Sequence, residues 1–117
     1  MTKKIVTLSG DGIGPEIMAA GLEVLEKVAS KIRFDYDIDA KPFGGAGIDA
    51  EGHPLPKATL EAAKSADAIL LAAIGGPKYD NAPVRPEQGL LAILLAARPL
   101  LIFHYTNFLR RDKADTL

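Results

Sequence analysis

Two hydrophobic periods alternate along this chain. Lys4-Ile-Val-Thr-Leu8 is a short β-rich run closed by Ser9 and Gly10, and Pro15 then stands where a first helical turn accepts a residue without a donor N–H. The pattern predicts strand, turn, helix. Met18, Gly21, Leu22, Leu25, Val28, Ala29 and Ile32 recur at helical intervals and mark one apolar face as far as Ile32, with Glu23 and Lys27 on the wet side. From Phe34 to Ala40 the period drops to two. Phe34, Tyr36 and Ile38 share one face and Asp35, Asp37 and Asp39 the other, as in a half-exposed strand. Phe43 to Pro56 reads as a long turn-rich connection, and Ala58 to Ala66 as a short helix. Asp67 to Ile74 is a near-continuous apolar run of the sort buried on both faces of a parallel sheet, and it stops at Gly75-Gly76-Pro77. From Glu87 the chain reads as helix, with Glu87, Leu90, Leu91 and Leu94 on one face, and Leu100 to Tyr105 reads as a further strand. Alternating strands and helices place the chain in the α/β class.

Composition narrows this picture by exclusion. With 117 residues, 48% of them hydrophobic, the chain fits one globular domain. Fourteen basic residues against fifteen acidic ones give a net charge of -1, so no basic field invites nucleic acid or an anionic membrane. The absence of cysteine removes disulfides, thiolate zinc sites and thiol nucleophiles. The apolar window from Gly89 to Phe103 is shorter than the roughly 20 residues a spanning helix needs and is interrupted by Arg98-Pro99. The opening residues lack a secretory apolar region, so a cytoplasmic location is expected. The alternating aspartates 35, 37 and 39 imitate the start of a calcium loop, but Ala40 and Ala46 occupy the positions that loop gives to glycine and glutamate. His53 and His104 share no visible site, and Ser9, Ser30 and Ser65 have no base at a recognisable spacing.

Gly10-Asp-Gly-Ile-Gly-Pro-Glu16 invites a dinucleotide-binding reading, but its glycines do not have the Gly-x-Gly-x-x-Gly spacing. Taken alone it is a tight, crowded corner between strand and helix. Four further motifs follow it in order: Gly44-Gly-Ala-Gly-Ile-Asp49, Gly52-His-Pro-Leu-Pro56, Gly75-Gly-Pro-Lys-Tyr-Asp80 and Pro86-Glu-Gln-Gly-Leu-Leu91. Together the five resemble the N-terminal part of the isocitrate and isopropylmalate dehydrogenase family, over residues 3 to about 93.

The resemblance implies an α/β fold with an incomplete parallel or mixed sheet and flanking helices. Residues 1–93 would form the N-terminal part of a first, cleft-lining domain, and 94–117 an atypical tail outside the family pattern. It also implies NAD-dependent oxidation of the hydroxyl of a 2-hydroxy diacid with metal-assisted loss of a carboxylate, in leucine biosynthesis. Carried over residue by residue, Gly75, Gly76, Pro77, Lys78, Tyr79, Asp80, Asn81 and Glu87 would lie beside the nicotinamide half of NAD, with Asp11 and Ile13 near the cofactor. Leu90 and Leu91 would cover the branched alkyl group of 3-isopropylmalate. A buried methylene is worth roughly 0.8 kcal/mol, so two leucines favour that alkyl group over the third carboxylate of isocitrate. The family's Mg2+ or Mn2+ ligands, its proton-handling groups and its homodimer segment belong to later parts of the family pattern, so no catalytic residue is assigned here and a truncated chain, inactive by itself, is expected. Position 94 departs from the pattern: the family carries an arginine for a substrate carboxylate, and this chain has Leu94. Two other readings stay open. One is a relative acting on D-malate, tartrate or homoisocitrate, and the other is a non-catalytic α/β module whose apolar tail covers a sheet edge.

Overall fold

The computed structural model describes residues 1–96 and 100–103. Arg98, Pro99, His104, Tyr105 and the rest of the tail lie outside the described residues, as do the expectations attached to them. The elements in order are β1 (Lys3–Gly10), α1 (Gly14–Ile32), β2 (Tyr36–Ala40), α2 (Gly45–Glu51), α3 (Lys57–Ser65), β3 (Ala68–Ala73), a single 3-10 turn (Pro77–Tyr79), α4 (Glu87–Ala96) and β4 (Leu100–Phe103).

The four strands form one parallel sheet in the order β2-β1-β3-β4. From β1 the chain steps outward to β2, then crosses back beyond β1 to β3 and continues to β4. With every crossover of the same hand, that reversal sends the connecting helices to opposite faces. It also creates a switch point between β1 and β3, where open α/β sheets leave a crevice at the carboxyl ends of the strands. Gly10 and Ala73 stand side by side at that end, as register partners.

Strand alternation decides which face each side chain enters. Val6, Leu8, Ile69 and Leu71 join Phe43, Leu55, Ala62, Ala63 and Ile93 in the main core, between the sheet and helices α3 and α4. Thr59 of α3 is fully buried, and its hydroxyl donates to the Pro42 carbonyl at 2.7 Å. The opposite face is covered by α1, where a groove of about 530 Å3 runs between helix and sheet, lined by Ile5, Ile17, Met18, Leu25, Phe34 and Leu70 among others. Helix α1 therefore buries less of its apolar face than its periodicity predicts. Met18 and Ala29 are buried and Leu22 and Leu25 half-buried, whereas Val28 and Ile32 are exposed.

Two local expectations are corrected. The stretch from Phe43 to Pro56 is not all turn: it contains α2, although glycine is the poorest helix former after proline. Tertiary bonds supply what propensity lacks, because the Asp11 carboxylate accepts the N–H groups of Gly45 and Ala46 at the start of α2. Strand β2 also keeps its apolar and polar faces only at the start, where Tyr36 is half-buried and Asp37 exposed. Ile38 is exposed, while Asp39 is half-buried between Lys41 at 3.3 Å and Lys4 at 3.9 Å. As an outer strand, β2 packs its side chains only partly, and ion pairing with neighbouring lysines overrides the simple alternation.

Matching substitutions at two isoleucines test this layering. Ile69→Val, in the sealed core, is expected to cost about 0.5–1.5 kcal/mol in urea unfolding, whereas Ile32→Val stays within about 0.5 kcal/mol. Equal costs would show that the two faces are not packed as described.

Candidate functional site

The carboxyl ends of β1 and β3 carry the residues that the sequence motifs single out. Gly10 has φ +73°, and a Cβ there would lie 1.7 Å from the Ala73 carbonyl oxygen, so only glycine lets the turn after β1 lie flat against the end of β3. Asp11 follows at once. Its N–H donates to the Ala73 carbonyl at 2.9 Å. Its carboxylate accepts three backbone N–H groups: Ala46 at 2.7 Å on Oδ1, and Gly45 at 2.8 Å and Gly75 at 2.9 Å on Oδ2. Such charge-assisted bonds are the strong ones, and two of them sit at a helix N-terminus where negative charge is favoured. Asp11 thus binds the turn after β1, the start of α2 and the loop after β3 into one corner. Ile13, at the same corner, is exposed.

Beyond Gly75 the loop runs through Gly76 into the 3-10 turn. Gly76 has extended backbone, φ 162° and ψ 163°, and a Cβ added to it would meet nothing within 4 Å. Its backbone therefore borders open space at the switch point. The side chains of Lys78 and Tyr79, after Pro77, turn away from that space toward α2. Lys78 Nζ donates to both oxygens of Asp49, at 2.9 and 2.8 Å, and the Tyr79 hydroxyl donates to Oδ2 at 2.9 Å. The Tyr79 ring is buried and rests on Gly45, where a Cβ would come within 2.3 Å of a ring carbon. Pro77, Asp80 and Asn81 are exposed.

Helix α4 enters the site through its first residue. A Cβ on Gly75 would lie 2.8 Å from Glu87 Oε1, so this carboxylate faces the loop after β3, and its Oε2 pairs with Arg85 Nε at 3.4 Å. Leu91, one turn on, is 63% exposed, and Leu94 is exposed on the same side. Leu90 divides its surface: it is half-buried and packs against the main core. The corner therefore gathers Asp11, Gly75, Gly76 and Glu87, with Leu91 beside them on α4. Lys78 and Tyr79 are drawn off to α2. His53 is satisfied locally, its Nδ1 accepting the Leu55 N–H at 3.0 Å. Asp49 and Gly45 were not marked by the sequence as site residues. Asp49 closes a recognisable motif, but its partners are 29 and 30 residues away and nothing local announces them.

The Asp49 cluster has a defined pH window. Hydrogen bonds from Lys78 and then Tyr79 hold the Asp49 carboxyl below its ordinary 3.8. The Asp49 hydrogen bond holds the Lys78 ammonium above its ordinary 10.5. Burial first, and then the Asp49 hydrogen bond, raise the Tyr79 phenol above 10.0. The lowered acid contributes fully above 3.8 and its contribution is lost as pH falls through its folded value, while the two raised groups contribute below about 10 and lose this as pH rises through theirs. The Tyr79 ring resonances are expected to stay flat from about pH 5 to 9, and a titration inside that range would refute the cluster. Asp11→Asn places an amide donor against backbone donors and is expected to cost about 1–3 kcal/mol in urea unfolding. An unchanged midpoint would remove Asp11 from its bracing role.

Comparison with known proteins places this corner in a family. A family model described as isocitrate/isopropylmalate dehydrogenase matches residues 4–100. The 3-isopropylmalate dehydrogenase of Streptococcus thermophilus (strain CNRZ 1066) is 96% identical over an alignment of 123 positions that covers 100% of this chain and 36% of that protein. The enzyme of the same name from Lactococcus lactis subsp. lactis is 71% identical over 93 residues, 80% of this chain and 27% of that protein. The chain thus spans about a third of the length of these relatives. Among solved structures, a beta-decarboxylating dehydrogenase from Thermococcus kodakarensis superposes with a TM-score of 0.63 at 26% identity, over 79% of this chain and 26% of that one. Sequence motifs, sheet order and these matches agree: the chain belongs to the isocitrate/isopropylmalate dehydrogenase family.

Proposed function

We propose that this chain supplies the cofactor-side corner and part of the apolar substrate wall of an NAD-dependent 3-isopropylmalate dehydrogenase, which oxidises and decarboxylates 3-isopropylmalate in leucine biosynthesis. The observation that carries this reading is the meeting of Glu87, on the same helix as Leu91, with Gly75 at the switch point of the sheet, next to the open backbone of Gly76. The names of the relatives supply the substrate.

The residues present fit a nicotinamide cofactor. Backbone at Gly76 is open where any side chain would intrude, so a flat ring can approach the main chain closely. When bound, NAD supplies the hydride acceptor. The chain's own contribution is placement: Asp11 fixes the loop, Glu87 sets a negative charge at its edge, and Leu91 offers uncharged surface that favours a branched alkyl group. The exposed Leu94 adds aliphatic surface on the side where the family pattern has a carboxylate-binding arginine. Among the described residues no group of three or more His, Cys, Asp or Glu could hold a metal ion, so the Mg2+ or Mn2+ that the family generally requires has no holder among them. Among them, too, no helix is long and apolar enough to cross a membrane.

A second reading, a non-catalytic α/β module, draws on β4, which runs along β3 and covers that edge of the sheet. Turnover by the purified chain in a metal-dependent NADH-forming assay with 3-isopropylmalate would eliminate the module. The cofactor reading has its own test in Gly76→Val. The extended backbone accepts valine, so the melting temperature without ligand should hold, but the new side chain fills the space assigned to the cofactor. Saturating NAD should raise the melting temperature of the unaltered chain, by about 2.7 kcal/mol of stabilisation at a hundredfold excess over Kd, and leave the variant unmoved. Equal shifts in both would move the cofactor elsewhere.

A further inference from the structure

Lys78 and Tyr79 fall inside the stretch that family resemblance assigns to cofactor contact, yet their side chains are engaged with α2. The loop that carries them is tied at both ends. At its start the Gly75 N–H is held by Asp11 Oδ2 at 2.9 Å. At its end Lys78 and Tyr79 place three hydrogen bonds of 2.8 to 2.9 Å on the Asp49 carboxylate. The Lys78 ammonium also lies 5.3 Å from the centre of the Tyr79 ring, so the two side chains support each other. Between the ties lie Gly76 and Pro77, and the Tyr79 N–H closes the turn onto the Gly76 carbonyl at 2.9 Å. Both anchors lead to α2, since Asp11 caps its first turn and Asp49 lies on it.

We propose that Asp49 is a positioning residue for the cofactor-facing loop: by holding Lys78 and Tyr79 against α2 it fixes the Gly75–Gly76 backbone beside the open space at the end of β3, without touching the ligand. The final step, from a fixed loop to a bound cofactor, rests on the NAD reading above. The opposed titration directions of Asp49, lowered, and of Lys78 and Tyr79, raised, agree with a mutually stabilised cluster. Exposed ion pairs add little to global stability. Lys78 and Asp49 are both more than half exposed in their side chains, so what the pair governs is local: the conformation of a short loop rather than the fold. The arrangement also withdraws the one cation of the Gly75–Asn81 stretch from the open side, which leaves main chain as the surface shown there.

The test uses the 117-residue chain labelled with nitrogen-15. In Asp49→Asn the melting temperature should move little, whereas the amides of Gly75, Tyr79 and Asp80, which donate hydrogen bonds in the loop, should exchange with solvent about tenfold faster or more. Asp49→Glu should recover part of that protection. NAD affinity, followed by amide shifts of Gly75 and Gly76, should weaken about 3- to 10-fold in Asp49→Asn because the competent loop is less populated. Unchanged amide exchange in the loop would overturn the proposal. So would faster exchange with unaltered NAD affinity. If the unaltered chain shows no NAD binding at all, the cofactor reading fails, and the exchange comparison still decides whether Asp49 holds the loop. Should Asp49→Asn fail to fold, Lys78→Met removes the same pair from the exposed loop side, with the same exchange outcome expected.

Discussion

Asp11 takes backbone N–H groups from two segments that lie 34 and 64 residues further along the chain, and it gives its own N–H to the last residue of β3. Four hydrogen bonds from distant segments thus converge on one residue at the point where the sheet reverses its strand order. Only a carboxylate suits the place. Three donors aim at it, an amide would turn a donor against them, and a hydroxyl would offer fewer lone pairs and no charge. The chain meets this demand with one short acidic residue in a turn so tight that its neighbour Gly10 has no room for a side chain. The turn that looks in sequence like a phosphate cradle before α1 instead delivers a carboxylate to a different helix. The protein's own anion occupies the N-terminus of α2, a position that in other α/β proteins is left for a ligand's charge.

Much of the fold could be read from hydrophobic period alone. Helix α1 ends at Ile32, where its apolar repeat ends, and β3 occupies nearly the whole apolar run before Gly75. These elements draw their stability from burial, and burial writes itself into the sequence as periodicity. Helix α2 could not be read in this way. Its sequence, Gly-Ala-Gly-Ile-Asp-Ala-Glu, has little propensity and little apolar surface, and it is held by Asp11 from far upstream. The face assignment on β2 failed at the end of the strand for a related reason: Asp39 is drawn inward by Lys4 and Lys41, and no alternation rule contains that pairing.

The site was legible as a set of motifs and illegible as a mechanism of support. Glu87, at the start of α4, does face Gly75 in the loop after β3. The division of labour among neighbouring residues was hidden. Gly76 faces open space, whereas Tyr79, only three residues on, is packed beneath the loop. Likewise Leu90 and Leu91 are adjacent in sequence but belong to different surroundings, one leaning on the core and the other facing outward. A helix turns by about 100° per residue, so neighbours on it diverge, and which of them meets solvent depends on packing that local sequence does not record.

The contact between Gly45 and the Tyr79 ring reaches beyond this molecule. A methyl group at 45 and an aromatic ring at 79 would compete for one volume, and the hydroxyl of that ring is also the partner of Asp49. Descendants of this sequence cannot change either position freely. A larger residue at 45 becomes tolerable only in a lineage whose position 79 has already shrunk, and such a lineage has given up the phenol that anchors the loop. The pair should therefore be inherited as a single character, lost or kept together.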